Sequence, residues 1–350
     1  MRSLLLCGLA SLLLSCGSAG SLAEPTAAPP SYDWTALTQA LESFVPSAVP
    51  GLAVAITRQG ETVYARGFGN LTPTTPVLLA SATKAPSGMV MLSLVDQGLL
   101  DLDVPVAAYL SGRIPWPADK AAITTRMLFN HTSGIAGGPS CLNVRATTLR
   151  ACAAAIAELP LEFAPGTAFA YGGGSMQVAG YVAEVVSGES WSTLFQRTVA
   201  QPLGLQTFSY GVGANPRVAG GASASAMDYL KILAMMLDEG RGPNGRVLSS
   251  SSWLLSRTDQ VAGLPKRSSP GGTALPGYAF GWWISDPSLH PGSPGPELSD
   301  QGAFGATPWI DLGLGYAAIV LIEDRTSTGT RIWDAIRPLI IAQVAATPGR

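Results

Sequence analysis

Residues 77–98 read VLLASATKAPSGMVMLSLVDQG, a Ser81-Ala82-Thr83-Lys84 tetrad set between an apolar approach and a longer apolar run at helical spacing. If Ser81 opens that helix, its hydroxyl stands near the positive end of the helix dipole. Lys84, three residues on, then lies roughly 5 to 6 Å away on the same face, within reach of the hydroxyl. An ammonium stripped of water gives up its proton more easily, so a buried Lys84 can take the serine proton without any histidine. Lysine is scarce here, confined to Lys84, Lys120, Lys231 and Lys266. The competing reading, a solvated lysine in a first helical turn, fits poorly with the apolar residues on both sides. Pro86 falls where a young helix needs its backbone donors, so the first turn is expected to be irregular or the helix to start late.

Outward from this segment, the chain changes texture twice. Toward the N-terminus, GLAVAITRQGETVYARGFG (51–69) has β-branched and aromatic residues on either side of a Gln59-Gly60 break, which predicts a hairpin. Before it, Trp34, Leu37, Leu41 and Phe44 mark one face of a helix from Asp33 to Phe44, with Asp33 as its cap and Pro46 and Pro50 beyond its end. Toward the C-terminus, Tyr278 to Ser285, Pro308 to Ile310 and Tyr316 to Ile322 are short strand-like runs, and a helix from about Thr330 to Val344 closes the chain. The Gly- and Pro-rich stretch from Ser268 to Gly295 is expected to be a surface loop. Between the two strand-rich ends, Ala80 to about Leu237 is Ala-, Leu- and Met-rich at helical spacing. The order strands, helices, strands predicts an α+β fold, with an antiparallel sheet joining N- and C-terminal strands and a helical region inserted between them.

The first residues, MRSLLLCGLASLLLSC, carry an early positive charge at Arg2 and an apolar stretch too short to span a bilayer, which reads as an export signal. Leu13, Leu14 and Ser15 before Cys16 resemble a lipobox, in which the cysteine is acylated and becomes the mature N-terminus; cleavage between Ser18 and Ala23, releasing a secreted protein, is the other option. The expected organisation is a lipoprotein signal peptide at 1–15, a flexible tether at 16–30 and a catalytic domain at 31–346. The protein is then expected at the cell envelope, in the periplasm or on the cell surface, held by lipid alone. With a net charge of -2 and no basic cluster, nucleic acid is not an expected partner. Cys141 and Cys152 are the cysteines left to the folded domain, and in an oxidising compartment they either bond or remain two buried thiols. The only histidines, His131 and His290, lack ligand spacing around them, so neither metal nor cofactor is expected. His131 in the run HTSG reads as a structural hydrogen-bonder, because no Gly-x-Ser-x-Gly elbow occurs. His290 reads as solvated, and Asp101 and Asp103 as turn residues.

Taken together, SATK followed by VDQGLLDLDVPVAAYL resembles the nucleophile helix of the β-lactamase and penicillin-binding-protein superfamily, in particular class C β-lactamases and family VIII esterases. ITTRMLFNHTSGI, FAYGGGSMQVAGYVAEVVSG, NPRVAGGASASAMDYLKIL and GAFGATPWIDLGLGYAAIVLIED resemble later blocks of that superfamily in the same order, over about residues 31–345. The resemblance implies Ser81 as nucleophile, with Lys84 and Tyr171 sharing the proton work as a hydrogen-bonded pair. It also implies an oxyanion and substrate-binding set at Ala303, Gly302 and Gly173, with the Ala303 N–H pairing that of Ser81.

Two departures bear on substrate. Tyr171-Gly172-Gly173 stands where the family carries Tyr-x-Asn, so the amide that grips an acyl amide is missing at Gly173. Asp300-Gln301-Gly302 aligns with the third motif, usually Lys-Thr-Gly, so its cation is replaced by an acid expected to repel substrate carboxylates unless Arg325, Arg331 or Arg337 compensates. The leading expectation is an exported carboxylesterase-like hydrolase of small acyl esters. The alternatives are a β-lactamase or D-alanyl-D-alanine carboxypeptidase acting on a cell-wall-type substrate, and a non-catalytic ligand-binding lipoprotein.

Overall fold

Strand β1 (Gly51–Arg58) runs through Gln59 and Gly60, at φ 53° and 81°, into β2 (Glu61–Gly69). Two successive positive-φ residues are the two-residue hairpin turn that the Gln59-Gly60 break predicts. In the computed structural model, which describes residues 31–270 and 277–347, five further strands complete the main sheet. They are β3 (Gly277–Ala279), β4 (Trp282–Ser285), β5 (Glu297–Ser299), β6 (Thr307–Asp311) and β7 (Tyr316–Ile322). The sheet order is β2-β1-β7-β6-β5-β4-β3, antiparallel throughout. The pairing of β1 with β7, from Leu52 opposite Ile322 to Arg58 opposite Tyr316, joins the two ends of the chain as the segment order predicts.

The principal helices are α1 (Thr35–Glu42), α2 (Lys84–Asp96), α3 (Leu149–Glu158), α4 (Gly174–Ser187), α5 (Ala226–Leu237) and α6 (Thr326–Ala346). Alternation along β1 divides its side chains between two cores. Leu52, Val54 and Ile56 pack with Leu37 and Leu41 of α1 and with Ile332, Trp333 and Ile336 of α6. Ala53 and Ala55, with Ala317 of β7, face the other way, toward a larger core that includes Leu230 and Leu233 of α5. Small residues on this second face let the helix approach the sheet closely. Every position of β1 and β7 is buried, which is why both read as continuous apolar runs. In α2 every residue from Lys84 to Leu94 is buried, as expected of a helix that is apolar on all sides and threads the core.

Several boundaries differ from the sequence reading. α1 starts at Thr35, and Asp33 serves it from outside, its Oδ1 accepting the Thr35 N–H at 2.9 Å. The run 278–285 is two strands turning at Phe280 and Gly281. The stretch from Ser268 to Gly295 is therefore not a surface loop throughout, because Tyr278 and Trp282 anchor it in the core. His290 is half-buried rather than solvated, edge-on to Trp309. α6 begins earlier than expected and continues through Pro338. Cys141 and Cys152 form a disulfide, tying the short helical turn Ser140–Asn143 to α3. Residues 1–30, with the expected signal, tether and Cys16, lie outside the described residues. Among the described residues no helix is long and apolar enough to cross a membrane.

Candidate active site

The approach to Ser81 is held in place before the helix begins. Val77–Leu78 pairs with Ser223–Ala224, and the Leu79 N–H donates to the Ala222 carbonyl at 2.9 Å. Ala80 then takes φ 47°, a conformation a β-carbon disfavours and one that surrounding structure must enforce. A 3-10 turn over Ala80–Thr83 precedes α2, so the helix starts late, at Lys84, and Pro86 falls in its first turn, where an N–H has no partner to lose. This two-part start is how the proline and the Ser-x-x-Lys pair coexist.

Lys84 Nζ lies 3.1 Å from Ser81 Oγ and donates to the Ala219 carbonyl at 2.8 Å. Lys84 is only 3% exposed, whereas Ser81 is partly open. Burial lowers the Lys84 ammonium to about 8; the nearby Arg217 charge pushes the same way and Asp300 opposes it. Near that pH a substantial fraction of the amine is neutral and able to accept a proton.

Tyr171 follows the short Phe169–Ala170 strand, its N–H donating to the Ser268 carbonyl at 3.0 Å. Its ring centroid is 4.5 Å from Lys84 Nζ, whose hydrogen bonds go to Ser81 and Ala219, so the two side chains meet through the ring face and not as the hydrogen-bonded pair expected. Burial raises the phenol well above its usual range, the Asp300 charge adds to this, and a hydrogen bond with Ser81 works against it. Tyr171 is therefore a neutral phenol, suited to passing a proton on rather than standing as a phenolate. Trp283 stacks on it at 5.3 Å and His131 packs at 4.8 Å, so the ring is held from behind. His131 is buried, with Nε2 3.0 Å from the Tyr278 hydroxyl, and burial drives it well below its ordinary range. Its contacts make it a support for the tyrosine cluster.

Ser81, Lys84, Tyr171, Gly173 and Ala303 line one cavity of about 250 Å³. Among the described residues neither the Ser81 N–H nor the Ala303 N–H has an acceptor. Two such donors at the wall of a cavity that holds a hydroxyl are what a developing oxyanion requires. Gly173 offers no side-chain amide, and its own N–H is taken by the Gly137 carbonyl at 2.6 Å. Gly302 does not line the cavity. Its N–H donates to the Ala306 carbonyl at 2.8 Å, and a β-carbon there would stand 2.0 Å from the Leu79 carbonyl oxygen, so the glycine serves close packing against the approach to Ser81.

Asp300 also departs from expectation. It is fully buried, and Oδ2 accepts the Ala85 N–H at 3.0 Å, so the carboxyl points at the start of α2 and not into the cavity. It cannot meet a substrate carboxylate there. The arginines proposed to compensate are elsewhere: Arg337 pairs with Glu297, Arg331 lies over Phe44, and none of the three lines the cavity. The arginine that does line it is Arg217, beside Asn143, Leu142 and Phe304. None of these four stands out in the sequence. Arg217 lies inside the NPRVAGG block, but only the fold brings that block to Ser81.

Comparison with known proteins gives the family and the fold. Residues 37–341 match the family profile described as Beta-lactamase. Penicillin-binding protein 4 of Amycolatopsis lactamdurans is 30% identical over 302 residues, covering 72% of this chain and 76% of that protein. Esterase EstB of Burkholderia gladioli is 30% identical over 190 residues, 47% of this chain and 48% of that protein, so the match spans about half of EstB. Among solved structures, a candidate β-lactamase from Bacteroides dorei DSM 17855 superposes with a TM-score of 0.76 at 26% identity, covering 89% of this chain and 100% of that one.

Proposed function

The chain belongs to the β-lactamase family of serine hydrolases, and from that premise we propose that it is an exported, carboxylesterase-like enzyme that works through an acyl-enzyme on Ser81. The observation that carries this reading is the 3.1 Å contact between Ser81 Oγ and a buried Lys84 whose ammonium is lowered to about 8. In the first step Ser81 Oγ bonds to the ester carbonyl carbon and its proton passes to the Lys84–Tyr171 pair. The oxyanion sits between the N–H groups of Ser81 and Ala303. The carbon–oxygen bond to the alcohol then breaks, and the alcohol leaves with the proton the pair had taken. Water attacks the acyl-enzyme carbon, gives its proton to the same pair, and the acid departs as Ser81 Oγ is reprotonated.

Small acyl esters are the substrate class this site favours. The cavity is of the order a short acyl chain fills, and Gly173 supplies no side-chain amide to an acyl amide. An alcohol also leaves more readily than an amine. A second reading, β-lactamase or D-alanyl-D-alanine carboxypeptidase, is favoured by the similarity to penicillin-binding protein 4. Intact-mass analysis after a panel of short-chain esters and penicillins, on wild type, Ser81→Ala and Lys84→Ala, separates the two. We expect ester turnover with a transient acyl adduct that Ser81→Ala abolishes. Rapid, stable penicillin labelling without ester turnover would reverse the ranking, and a fluorophosphonate that leaves Ser81 unmodified would end both. We further propose export through residues 1–15 and lipid attachment at Cys16, which predicts a diacylglyceryl mass on the mature N-terminus that Cys16→Ser removes.

A further inference from the structure

Among the described residues, the walls of the Ser81 cavity hold two cations, Lys84 and Arg217, and no carboxylate. Lys84 is spent on Ser81 and the Ala219 carbonyl. Arg217 is exposed, and its hydrogen bond runs from Nη1 to Asn143 Oδ1 at 3.2 Å. Arg126, Arg197, Arg241 and Arg337 each face a carboxylate, whereas Arg217 is in no ion pair among the described residues. Most of its five donors are therefore free, in the planar fork that fits a carboxylate.

The backbone carrying that guanidinium is fixed on three sides. Buried Gln177 of α4 donates through Nε2 to Asn215 Oδ1 at 2.8 Å and to the Pro216 carbonyl at 2.9 Å, and accepts the Val218 N–H at 3.2 Å. Asn215 Nδ2 in turn donates to the carbonyls of Cys141 and Val144, at 2.9 and 3.1 Å, which pins the segment bearing Asn143. From α2, Ser87 donates to the Val218 carbonyl at 2.7 Å and Lys84 to that of Ala219 at 2.8 Å. Two buried amides and the helix that carries the Lys84 amine thus hold one arginine at the wall of the cavity. A surface arginine without a ligand needs no such framework, and one meant to bind needs its approach fixed in advance.

We propose that Arg217, oriented by Asn143, is the specificity residue of this site and selects esters that carry a carboxylate. This rests on the Ser81 reading for turnover but not for binding. The carboxylate belongs either to the acyl chain or to the alcohol, and the guanidinium's fork serves both. Its charge also favours neutral Lys84, so loss of Arg217 lowers turnover generally, and the discriminating quantity is a ratio.

The test compares kcat/KM for 4-nitrophenyl butyrate, mono-4-nitrophenyl glutarate and 3-carboxy-4-nitrophenyl butyrate in wild type, Arg217→Gln and Arg217→Lys. With Gln, the ratio of at least one anionic ester to the neutral one should fall by about tenfold or more, mostly through KM, with partial recovery in Lys. Which anionic ester falls tells which side of the ester bears the carboxylate. A uniform loss across all three overturns the proposal, since Arg217 would then act only through Lys84. Calorimetry of glutarate on Ser81→Ala, with and without Arg217→Gln, needs no turnover. Arg217-dependent binding in Ser81→Ala, combined with a wild type that hydrolyses none of the three esters, would sink the hydrolase reading while sustaining this one, and equal binding or none in both calorimetry proteins sinks this one.

Discussion

Asp300 Oδ2 accepts the Ala85 N–H at 3.0 Å, so the acid of the third sequence motif reaches under the nucleophile helix from the sheet side. Burial holds this carboxyl well above its ordinary range, with the Lys84 charge and the N–H groups of Ala85 and Lys84 pulling it back. Asp300 thus anchors α2 and sets the electrostatic level of Lys84 together. Asp300→Asn keeps an acceptor but removes the charge that favours the protonated lysine. The acid limb of the acylation rate should move to lower pH, read from the rate of fluorophosphonate labelling against pH. Asp300→Ala removes the acceptor as well and should cost about 1–3 kcal/mol of stability, read by denaturant titration.

The wild-type limb follows from Lys84 itself. Below about 8 its amine carries the proton it needs to accept, so acylation should rise with pH through about 8 and level off above it. Tyr171, held neutral, adds no limb of its own in that range. Lys84→Ala should lower the plateau by roughly 100- to 10,000-fold, the usual worth of a proton acceptor, and should abolish the limb. A limb that persists in the alanine variant would assign it to another group.

Much of the scaffold was legible because its signals are local. The Gln59-Gly60 break fixes a hairpin, and the apolar runs 51–58 and 316–322 can hardly be anything but buried strands. Ser81 and Lys84 share one helical turn, so their meeting needed no tertiary information. Arg217 and Asn143 meet across a long loop closure, with no periodicity joining them, and Asp300 could be placed in the motif but not oriented. β5 escaped because Pro-Glu-Leu-Ser has no strand texture: its Glu297 is buried only because Arg337 of α6 answers it.

That pair carries a pH signature of its own. Glu297 Oε1 lies 2.5 Å from Arg337 Nη2, with His290 Nδ1 4.0 Å from the other oxygen and Asp311 across from it on β6. Burial pushes Glu297 up to about 7 despite the arginine. The folded state therefore holds a proton that the unfolded chain releases near the ordinary 4.5, so its contribution is complete below 4.5 and is lost as pH rises through about 7. The stability of the parent relative to Glu297→Gln should decline over that window. Both are to be measured in a His290→Gln background, because His290 sits in the same cluster. A difference independent of pH would refute the assignment.

The disulfide joins the cavity wall to α3 through a separation of 11 residues. A loop of that size is worth on the order of 3 kcal/mol in the chain-entropy model, so the Cys141→Ser and Cys152→Ser double variant should unfold at lower denaturant by about that amount. Leu142 and Asn143 lie immediately beyond Cys141 and line the cavity. Loosening them should raise KM for esters more than it lowers kcat, whereas an equal fall in both would place the wall outside substrate contact.

Gly281 ties the sheet closely to the nucleophile helix. The turn between β3 and β4 lies against the first residues of α2, where a β-carbon on Gly281 would stand 2.3 Å from the Ala85 nitrogen and 2.4 Å from the Lys84 carbonyl carbon. These are backbone atoms that no rotamer change can move aside, so Gly281→Ala must shift the segment that aims Lys84 at Ser81. Gly281 also sits at φ 107°, so strain unrelated to the contact has to be separated out. Gly98, just past the other end of α2, has φ 70° with nothing within 4 Å of its β-carbon position. Gly98→Ala should therefore report backbone strain alone, on the order of 1 kcal/mol. Gly281→Ala should exceed it by about 2 kcal/mol or more and slow fluorophosphonate labelling of whatever fraction folds. Equal destabilisation by the two variants, with labelling intact, would mean that the turn can retreat without disturbing Lys84.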